Sequence, residues 1–262
     1  MISHRNVIAN TLQVTTFDKP NREAVHKGYT EVALGLLPQS HIYSLIVVCH
    51  TSSYRGDQVI ILPKFDVQQY LSAIATYRIN NLYIVPPIII AMATNKSILS
   101  KFDLSSVQTV FTGAAPLGSE VADSLHKQYP HWLIRQGYGL TETSTVVCST
   151  DANDICFGSS GSLIPMTEAR LIAPDGREIT TYDQPGELLV KSPSVVLGYL
   201  NNMQATQEAF IIDADGNRWM KTGDEALVRK SAKGYEHIWI VDRIKELIKV
   251  KVCRAYFPSI SA

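Results

Sequence analysis

A short segment near the middle of the chain combines glycines with hydroxyl and carboxylate side chains. It runs from Arg135 to Thr143 and reads RQGYGLTET. Its two glycines allow backbone N–H groups to approach a ligand closely. Tyr138 could stack on a base, Thr141 could hydrogen-bond a phosphate, and Glu142 could hold Mg²⁺ through oxygen. The same residues also suit a glycine-rich β-turn that carries a solvent-exposed Thr and Glu.

The elements around this segment alternate between apolar runs and amphipathic stretches. We predict strands at residues 42–49, 58–62, 82–85, 109–112 and 133–136. We predict helices at residues 67–78, after Asp66 as N-cap, and 118–129. This alternation indicates βαβ units and a mostly parallel sheet. From about Gly158, turns rich in Gly, Pro and Asp separate short strands at 169–173, 186–191 and 236–241, which indicates a smaller antiparallel β subdomain.

The composition is that of an ordinary globular α/β protein. The 262 residues are 45% hydrophobic, and 24 basic residues balance 24 acidic ones. A chain with no net charge has no electrostatic footprint for nucleic acid, so we expect no nucleic-acid partner. The four cysteines form no C-x-x-C pair, which argues against a zinc or disulfide framework and favours a reducing compartment. No apolar run reaches the roughly 20 residues of a membrane span.

Several further segments match one known family in the right order. The hexapeptide from Tyr138 to Thr143 resembles the signature of the adenylate-forming superfamily, which includes acyl- and aryl-CoA ligases, firefly luciferase and peptide-synthetase adenylation domains. The other segments that resemble superfamily motifs are Phe111 to Gly118 (adenine and acyl-pocket loop), Gly186 to Leu188 with Leu197 to Asn202, Trp219 to Asp224 (ribose motif) and Val241 to Lys249 (hinge).

Within the superfamily, residues 41–45, 64–66 and 85–88 are most similar to 4-coumarate–CoA ligase and its fungal relatives. The resemblance implies the large N-terminal domain of an ATP-dependent carboxylate–CoA ligase of fungal secondary, fatty acid or aryl acid metabolism. Such an enzyme forms an acyl-adenylate from a carboxylic acid and ATP, and coenzyme A then displaces AMP. It implies ATP, Mg²⁺ and coenzyme A as co-substrates, and a cytoplasmic location, with peroxisomes possible for full-length relatives although no such signal is seen here.

The resemblance also implies roles for individual residues. It gives Thr141 and Glu142 catalytic roles, with Glu142 as the Mg²⁺ ligand. The nucleotide-binding residues would be Gly113, Ala114, Ala115, Pro116, Gln136, Gly137, Tyr138, Gly139, Thr141, Asp224 and Arg243. The acyl substrate would meet His41, Tyr43, Ala114, Lys245 and Lys249, and coenzyme A would meet Lys64 and Lys251.

Simpler interpretations of these residues stay open at this stage. His41 could be a structural histidine, and Lys64 could be a solvated charge. Asp224 and Arg243 could form a plain surface ion pair, and the lysines from 245 to 251 could be the basic end of a helix or a strand face. The pocket near Tyr43, Val47 and Ala114 is apolar enough to disfavour a charged acyl side chain.

The resemblance divides the chain into an α/β part at 1–157, a β-rich part at 158–241, and a hinge with an unrelated tail at 242–262. Relatives carry a phosphate loop before the first of these segments and a C-terminal domain after the last. Both are absent here, and the match stops at Lys251. We therefore expect little or no ligase activity from this chain alone, and a gene-model artefact would explain the tail.

Two other functions are compatible with the motifs. The chain could be an adenylating module that loads a carrier protein, or a catalytically inactive fragment that at most binds AMP. All ligand-binding alternatives require that Tyr138, Glu142 and Asp224 border one cavity.

Overall fold

The computed structural model describes residues 1–94, 96–244, 248–250 and 253–255. Its larger sheet has the strand order β2-β1-β3-β4-β5-β6-β7, and the first five of these strands run parallel to their neighbours. The strands are β1 Val32–Gly35, β2 Gln58–Ile61, β3 Asn81–Ile84, β4 Thr109–Thr112, β5 Leu133–Leu140, β6 Thr145–Ser149 and β7 Ser162–Leu163. The last two pairings, β5 with β6 and β6 with β7, are antiparallel.

Both faces of this sheet are buried because its central strands are apolar throughout. Leu82 and Ile84 of β3 face one hydrophobic cluster, while Tyr83 faces another on the opposite side. The first cluster lies under three helices, α3 Val67–Tyr77, α4 Pro86–Thr94 and α6 Ser119–Gln128, with the short helix α5 Lys96–Leu99 beside them. The second cluster lies under α1 His4–Val25 and a π-helix, and the short helix α2 Ser52–Arg55 follows that π-helix.

The predicted helices at 67–78 and 118–129 are confirmed to within one residue at each end. Asp66 caps the first of them, because its side chain accepts a hydrogen bond from the Gln69 N–H at 2.9 Å. The predicted strands at 58–62, 82–85, 109–112 and 133–136 are also confirmed, and the last continues to Leu140.

The predicted strand at residues 42–49 is wrong. This segment enters a π-helix that spans Ser44–Thr51. An apolar run of this length does not separate a buried strand from a buried helix, because it lacks a period of either two or 3.6. The helix is apolar because it packs between α1 and the sheet, where Ile46 and Val47 are almost fully buried.

The first helix was not predicted, although polar residues recur at helical spacing along it. Asn6, Asn10 and Gln13 form a buried polar stripe. The Asn10 side chain donates to the Val146 carbonyl at 2.8 Å and accepts from the Val146 N–H at 3.0 Å. Gln13 donates to the Pro165 carbonyl at 2.8 Å. The stripe therefore fixes α1 to the backbone that connects the two sheets.

The second sheet is antiparallel and has the order β11-β12-β10-β8-β9, with β13 paired to β12. Its strands are β8 Glu168–Ile172, β9 Glu178–Ile179, β10 Gly186–Lys191, β11 Phe210–Ile212, β12 Arg218–Lys230 and β13 Glu236–Arg243, and helix α7 Met203–Ala209 precedes β11. A separate hairpin pairs β14 Ile248–Val250 with β15 Cys253–Ala255. The predicted fold class, a mostly parallel α/β sheet beside a smaller antiparallel sheet, is confirmed.

None of the helices described is both long enough and apolar enough to cross a bilayer.

Candidate functional site

A cleft of about 220 Å³ opens where the carboxyl ends of β4 and β5 meet the second sheet. The loop after β4 contributes one wall, the second half of β5 and the turn that follows it contribute another, and the end of β13 closes the third. The predicted site residues that line it are His41, Tyr43, Gly113, Ala114, Gly137, Tyr138, Gly139, Thr141, Glu142 and Arg243. The structure therefore brings together residues that lie up to about 200 positions apart in the sequence.

The glycines of the central motif are required by close backbone approach. A Cβ on Gly139 would lie 1.4 Å from the Thr145 carbonyl oxygen, and one on Gly137 would lie 2.7 Å from the Phe111 ring. The hairpin formed by β5 and β6 is also strained at its turn, since Ser144 and Thr145 adopt φ values of +53° and +107°. Such conformations disfavour β-branched residues and persist where the surrounding structure enforces them, commonly at functional sites.

A hydrogen bond between Tyr138 and Asp224 joins the two sheets beside the cleft. The Tyr138 hydroxyl donates to Asp224 Oδ2 at 2.6 Å. Burial, together with the charge and hydrogen bond of Asp224, raises the pKa of Tyr138 well above its ordinary value, so the hydroxyl stays a donor. The Tyr138 hydroxyl is thus already bonded to Asp224, and the predicted contact with the nucleotide has to be made while that bond is in place.

Asp224 is also paired with Arg243, and the register of the second sheet explains why. The two residues are cross-strand partners in the β12–β13 pair. Arg243 Nε lies 3.4 Å from Asp224 Oδ1, and only 8% of the Asp224 side chain is exposed. A carboxylate has about four lone-pair positions, so this ion pair is compatible with further bonds from two vicinal hydroxyls. The ion pair is therefore present in the structure, while the ribose-binding role of Asp224 and Arg243 stays a prediction.

The strand that carries Arg243 is held by a buried polar network at its other end. His237 contacts Ser159 Oγ through Nδ1 at 2.8 Å and Asp154 Oδ2 through Nε2 at 2.9 Å. All three side chains are buried. They fix β13 to the loop that follows β6, and so fix where β13 meets the cleft.

Thr141 and Glu142 lie on a short 3₁₀ turn after β5, and both line the cleft. Thr143 holds this turn, because its hydroxyl accepts from the Leu140 N–H at 3.0 Å. Glu142 is half-buried, and its carboxylate accepts a hydrogen bond from Tyr199 at 2.9 Å.

The donor set around Glu142 suits a magnesium ion that is shared with a nucleotide. In the part of the chain that the structure describes, no group of three or more His, Cys, Asp or Glu side chains could hold a metal by itself. Mg²⁺ characteristically binds through one or two carboxylates plus substrate phosphates and water. A single carboxylate at the rim of a cleft fits that pattern.

The other end of the cleft is apolar and is closed by aromatic rings. The buried Tyr43 hydroxyl donates to the Phe111 carbonyl at 3.0 Å, and burial raises its pKa well above the ordinary value. The exposed His41 accepts from the Tyr43 N–H at 3.2 Å. Val47, predicted beside Tyr43 at the acyl pocket, instead lines a separate small cavity behind Phe111, because it points from the π-helix towards the sheet interior.

The remaining predicted residues lie outside the cleft lining. Gln136 holds the loop after β4, since its side-chain oxygen accepts from the Leu117 N–H at 2.9 Å. Ala115 and Pro116 are exposed on that loop. Asp224 was expected to border the same cavity as Tyr138 and Glu142, but it is buried behind Tyr138 and does not line the cleft. Lys64 is exposed on the loop between β2 and α3.

The structure does not describe the side chains of the three lysines expected at the hinge. Lys245 and Lys251 lie outside the described residues, as does most of the segment 242–262. Lys249 belongs to β14 by its backbone alone. Their predicted contacts with the acyl group and coenzyme A stay predictions.

Sequence reasoning missed two supports of the site. Tyr199 was recognised only as part of a motif, with no role, yet it contacts Glu142. Asn10 was not singled out, yet it holds the strand that begins at Thr145. The helical spacing of Asn6, Asn10 and Gln13 could have indicated the second support.

Known proteins are similar to this chain in sequence and in fold. The chain is 45% identical over 251 residues to "Acyl-CoA ligase lcsD" of Purpureocillium lilacinum, an alignment that covers 96% of this chain and 63% of that protein. It is 39% identical to "Probable 4-coumarate--CoA ligase 1" of Dictyostelium discoideum, over 95% of this chain and 43% of that protein. The chain thus spans less than two thirds of the length of these relatives.

A solved structure has the same fold. The ATP-bound crystal structure of MatB from Rhodopseudomonas palustris superposes with a TM-score of 0.79 at 24% identity, over 98% of this chain and 47% of that one. The profile of the family described as "AMP-binding enzyme" matches residues 1–200, most of the chain. The resemblance of the ordered motifs is confirmed, and the chain belongs to the AMP-binding enzyme family.

Proposed function

We propose that this chain forms the nucleotide- and acyl-binding part of an ATP-dependent carboxylate–CoA ligase. The observation that carries the proposal is the cleft itself, which Tyr138 of the first sheet, Arg243 of the second and Glu142 of the turn between β5 and β6 line together. Asp224 lies directly behind this lining, bonded to both Tyr138 and Arg243. Membership of the AMP-binding family and the names of the relatives support the same activity.

The proposed reaction has two steps. An oxygen of the substrate carboxylate attacks the α-phosphorus of ATP, so that a new O–P bond forms and pyrophosphate leaves. The thiol of coenzyme A then gives up its proton to solvent, its sulfur attacks the acyl carbon, a C–S bond forms, and AMP leaves with the electron pair of the broken C–O bond. Both steps concentrate negative charge, so catalysis rests on positioning and on fixed positive or hydrogen-bonding groups.

In the proposed reaction, the residues at one end of the cleft bind the nucleotide and those at the other end bind the acyl group. Asp224 accepts hydrogen bonds from the ribose hydroxyls and Arg243 contacts the same sugar, while residues 137–139 and Thr141 contact the adenylate. Glu142 holds the magnesium ion, which neutralises phosphate charge when bound. The backbone at Gly113 and Ala114 borders the acyl carbonyl.

The acyl end of the cleft favours an uncharged aryl or medium-chain acid. Ile42, Tyr43, Phe111 and Val146 contribute apolar surface there. A charged acyl side chain would lose its hydration without gaining a partner at this surface. Coenzyme A would meet Lys64 and Lys251, and a cytoplasmic location is part of the same proposal.

Calorimetric titration with AMP tests the nucleotide site, and 2′,3′-dideoxy-AMP isolates the contribution of the ribose hydroxyls. We expect the protein to bind AMP at least about tenfold more tightly than the dideoxy nucleotide, because hydrogen bonds to a charged group contribute about 1.5–3 kcal/mol. In Asp224→Asn this preference should shrink towards one. The exposed Asp175→Asn serves as the matched control and should keep it.

Absence of AMP binding by the unsubstituted protein would overturn the proposed function. An undiminished preference for AMP in Asp224→Asn would overturn the ribose-binding role alone.

A further inference from the structure

The carboxylate of Glu142 is held by a residue from a distant loop. The Tyr199 hydroxyl donates to Glu142 Oε1 at 2.9 Å, and the Tyr199 ring packs against Phe210 with a centroid distance of 6.4 Å. Glu142 Oε1 therefore accepts a hydrogen bond from a hydroxyl whose ring is itself held by packing.

The same loop also holds the Glu142 backbone. The Val196 N–H donates to the Glu142 carbonyl at 2.9 Å. Glu142 is thus restrained at its carbonyl and at its carboxylate by residues only three positions apart. Restraint at both ends limits the conformations of the side chain between them.

This loop, residues 193–199, is itself anchored from three elements. Arg218 of β12 donates to the Val196 carbonyl at 2.9 Å, and Asn6 of α1 donates to the Val195 carbonyl at 2.9 Å. Thr206 of α7 accepts from the Tyr199 N–H at 2.9 Å. A hydroxyl fixed in this way can orient a carboxylate without entering the cleft.

We propose that Tyr199 is a positioning residue for cation binding at Glu142, an inference that rests on the proposed function. The Tyr199 hydroxyl donates to Oε1 of Glu142 and fixes the rotation of the carboxylate. Oε2 of Glu142 then faces a divalent cation bound to the nucleotide phosphates. Groups that orient a metal ligand in this way commonly contribute 10- to 100-fold to metal affinity, roughly.

The test compares the affinity for the non-hydrolysable β,γ-imido analogue of ATP in excess Mg²⁺ with its affinity in EDTA. The ratio of these two affinities isolates the contribution of the cation. We expect Tyr199→Phe to lower this ratio about tenfold or more, while the affinity for AMP stays unchanged. A merely structural role would weaken the binding of AMP and of the ATP analogue alike, in both conditions.

Two further variants sharpen the comparison. Tyr182→Phe is the matched control, because the Tyr182 hydroxyl also donates to a glutamate, Glu236, but at an exposed site away from the cleft. It should keep the full effect of Mg²⁺. In Glu142→Gln the effect should already be small, and adding Tyr199→Phe should change it no further, since the two substitutions remove one interaction.

The outcomes separate the inference from the proposed function. An unsubstituted protein that fails to bind AMP would overturn the proposed function and with it the inference. If AMP binds and Mg²⁺ strengthens binding of the ATP analogue equally in the unsubstituted protein and in Tyr199→Phe, the positioning role of Tyr199 is wrong while the proposed function stands. Equal losses for AMP and the analogue in Tyr199→Phe would contradict the positioning role as well.

Discussion

Two carboxylates, Glu142 in the cleft lining and Asp224 behind it, are each held by a tyrosine hydroxyl. Tyr138 donates to Asp224 and Tyr199 donates to Glu142, at 2.6 and 2.9 Å. In both pairs the pKa of the tyrosine is raised, by burial first and by the carboxylate second. In each pair the hydroxyl donates, and its hydrogen bond restrains the orientation of the carboxylate. These are the two carboxylates to which we assign the ribose hydroxyls and the cation in the proposed function.

A third carboxylate, the largely buried Asp18 of α1, holds one of the strands that form the cleft. It contacts Arg135 of β5 at 2.7 Å and Arg55 of α2 at 2.8 Å. Burial acts to raise the pKa of Asp18, but the two guanidinium groups outweigh it and lower the pKa from 3.8 to about 2. Since β5 contains Gly137 and Tyr138, this contact fixes the strand that carries the central motif.

The lowered pKa of Asp18 predicts a specific dependence of stability on pH. Because the pKa is lower in the folded state, the contribution of Asp18 is complete above about pH 4 and is lost as the pH falls to about 2. The unfolding free energy of the protein should exceed that of Asp18→Asn by a margin that shrinks by about 2 kcal/mol over this range. Urea unfolding at a series of pH values measures it.

The control for this experiment is Asp183→Asn, at an exposed ion pair with Arg229. It should change the unfolding free energy little at any pH, because exposed pairs contribute about 0–1 kcal/mol. A margin for Asp18→Asn that is the same at pH 6 and pH 2 would contradict the assigned role of the ion pairs.

The residues of the site were predictable to the extent that they lie in short local motifs. Tyr138, Thr141 and Glu142 fall within six consecutive positions, and their types indicate a nucleotide. Tyr199 could not be assigned a role, because its contact with Glu142 joins positions 57 apart and depends on how an irregular loop packs.

Among the elements, the β5–β6 hairpin sets the shape of the cleft. Its two strands approach so closely at Gly139 that a methyl group there would overlap the Thr145 carbonyl. The hairpin also carries the left-handed Ser144 and the strained Thr145. The hairpin is therefore the element whose geometry tolerates the least change.

We expect Gly139→Ala to lower the unfolding free energy by more than about 3 kcal/mol, because backbone of the hairpin has to move. Gly118→Ala is the matched control: a methyl group there meets nothing within 4 Å, and Gly118 has an ordinary φ of −59° at the start of α6. It should change stability by less than about 1 kcal/mol. Equal stability of the two variants in urea unfolding would show that the hairpin is not under this constraint.

Elements with a clear period were predictable, and elements without one were not. The amphipathic helix at Val67–Tyr77 follows from its spacing and from Asp66. The π-helix at Ser44–Thr51 and the polar buried stripe of α1 depend on their neighbours: the first is apolar because it is enclosed, and the second is polar because it bonds to the backbone of the sheet junction. Both features depend on tertiary packing, so the local sequence gives only a weak indication of them.

At the scale of the whole molecule, the candidate site belongs to neither sheet alone. The first sheet supplies Tyr138, and the second supplies Asp224 and Arg243. Buried side chains of α1 and the network around His237 fix the positions of the two sheets relative to each other at this junction. The sequence motifs predicted that these residues act together, while the junction that unites them was visible only in three dimensions.

The central claim is that this junction binds an acyl-adenylate. A crystal structure of the protein with a non-hydrolysable acyl-sulfamoyl adenosine tests it most directly. We predict the ribose hydroxyls within hydrogen-bonding distance of Asp224, the adenine and sulfamoyl groups along residues 137–141, and the acyl group between Tyr43 and Ala114. An analogue bound elsewhere on the protein, or one bound in the cleft with its ribose away from Asp224, would contradict the claim.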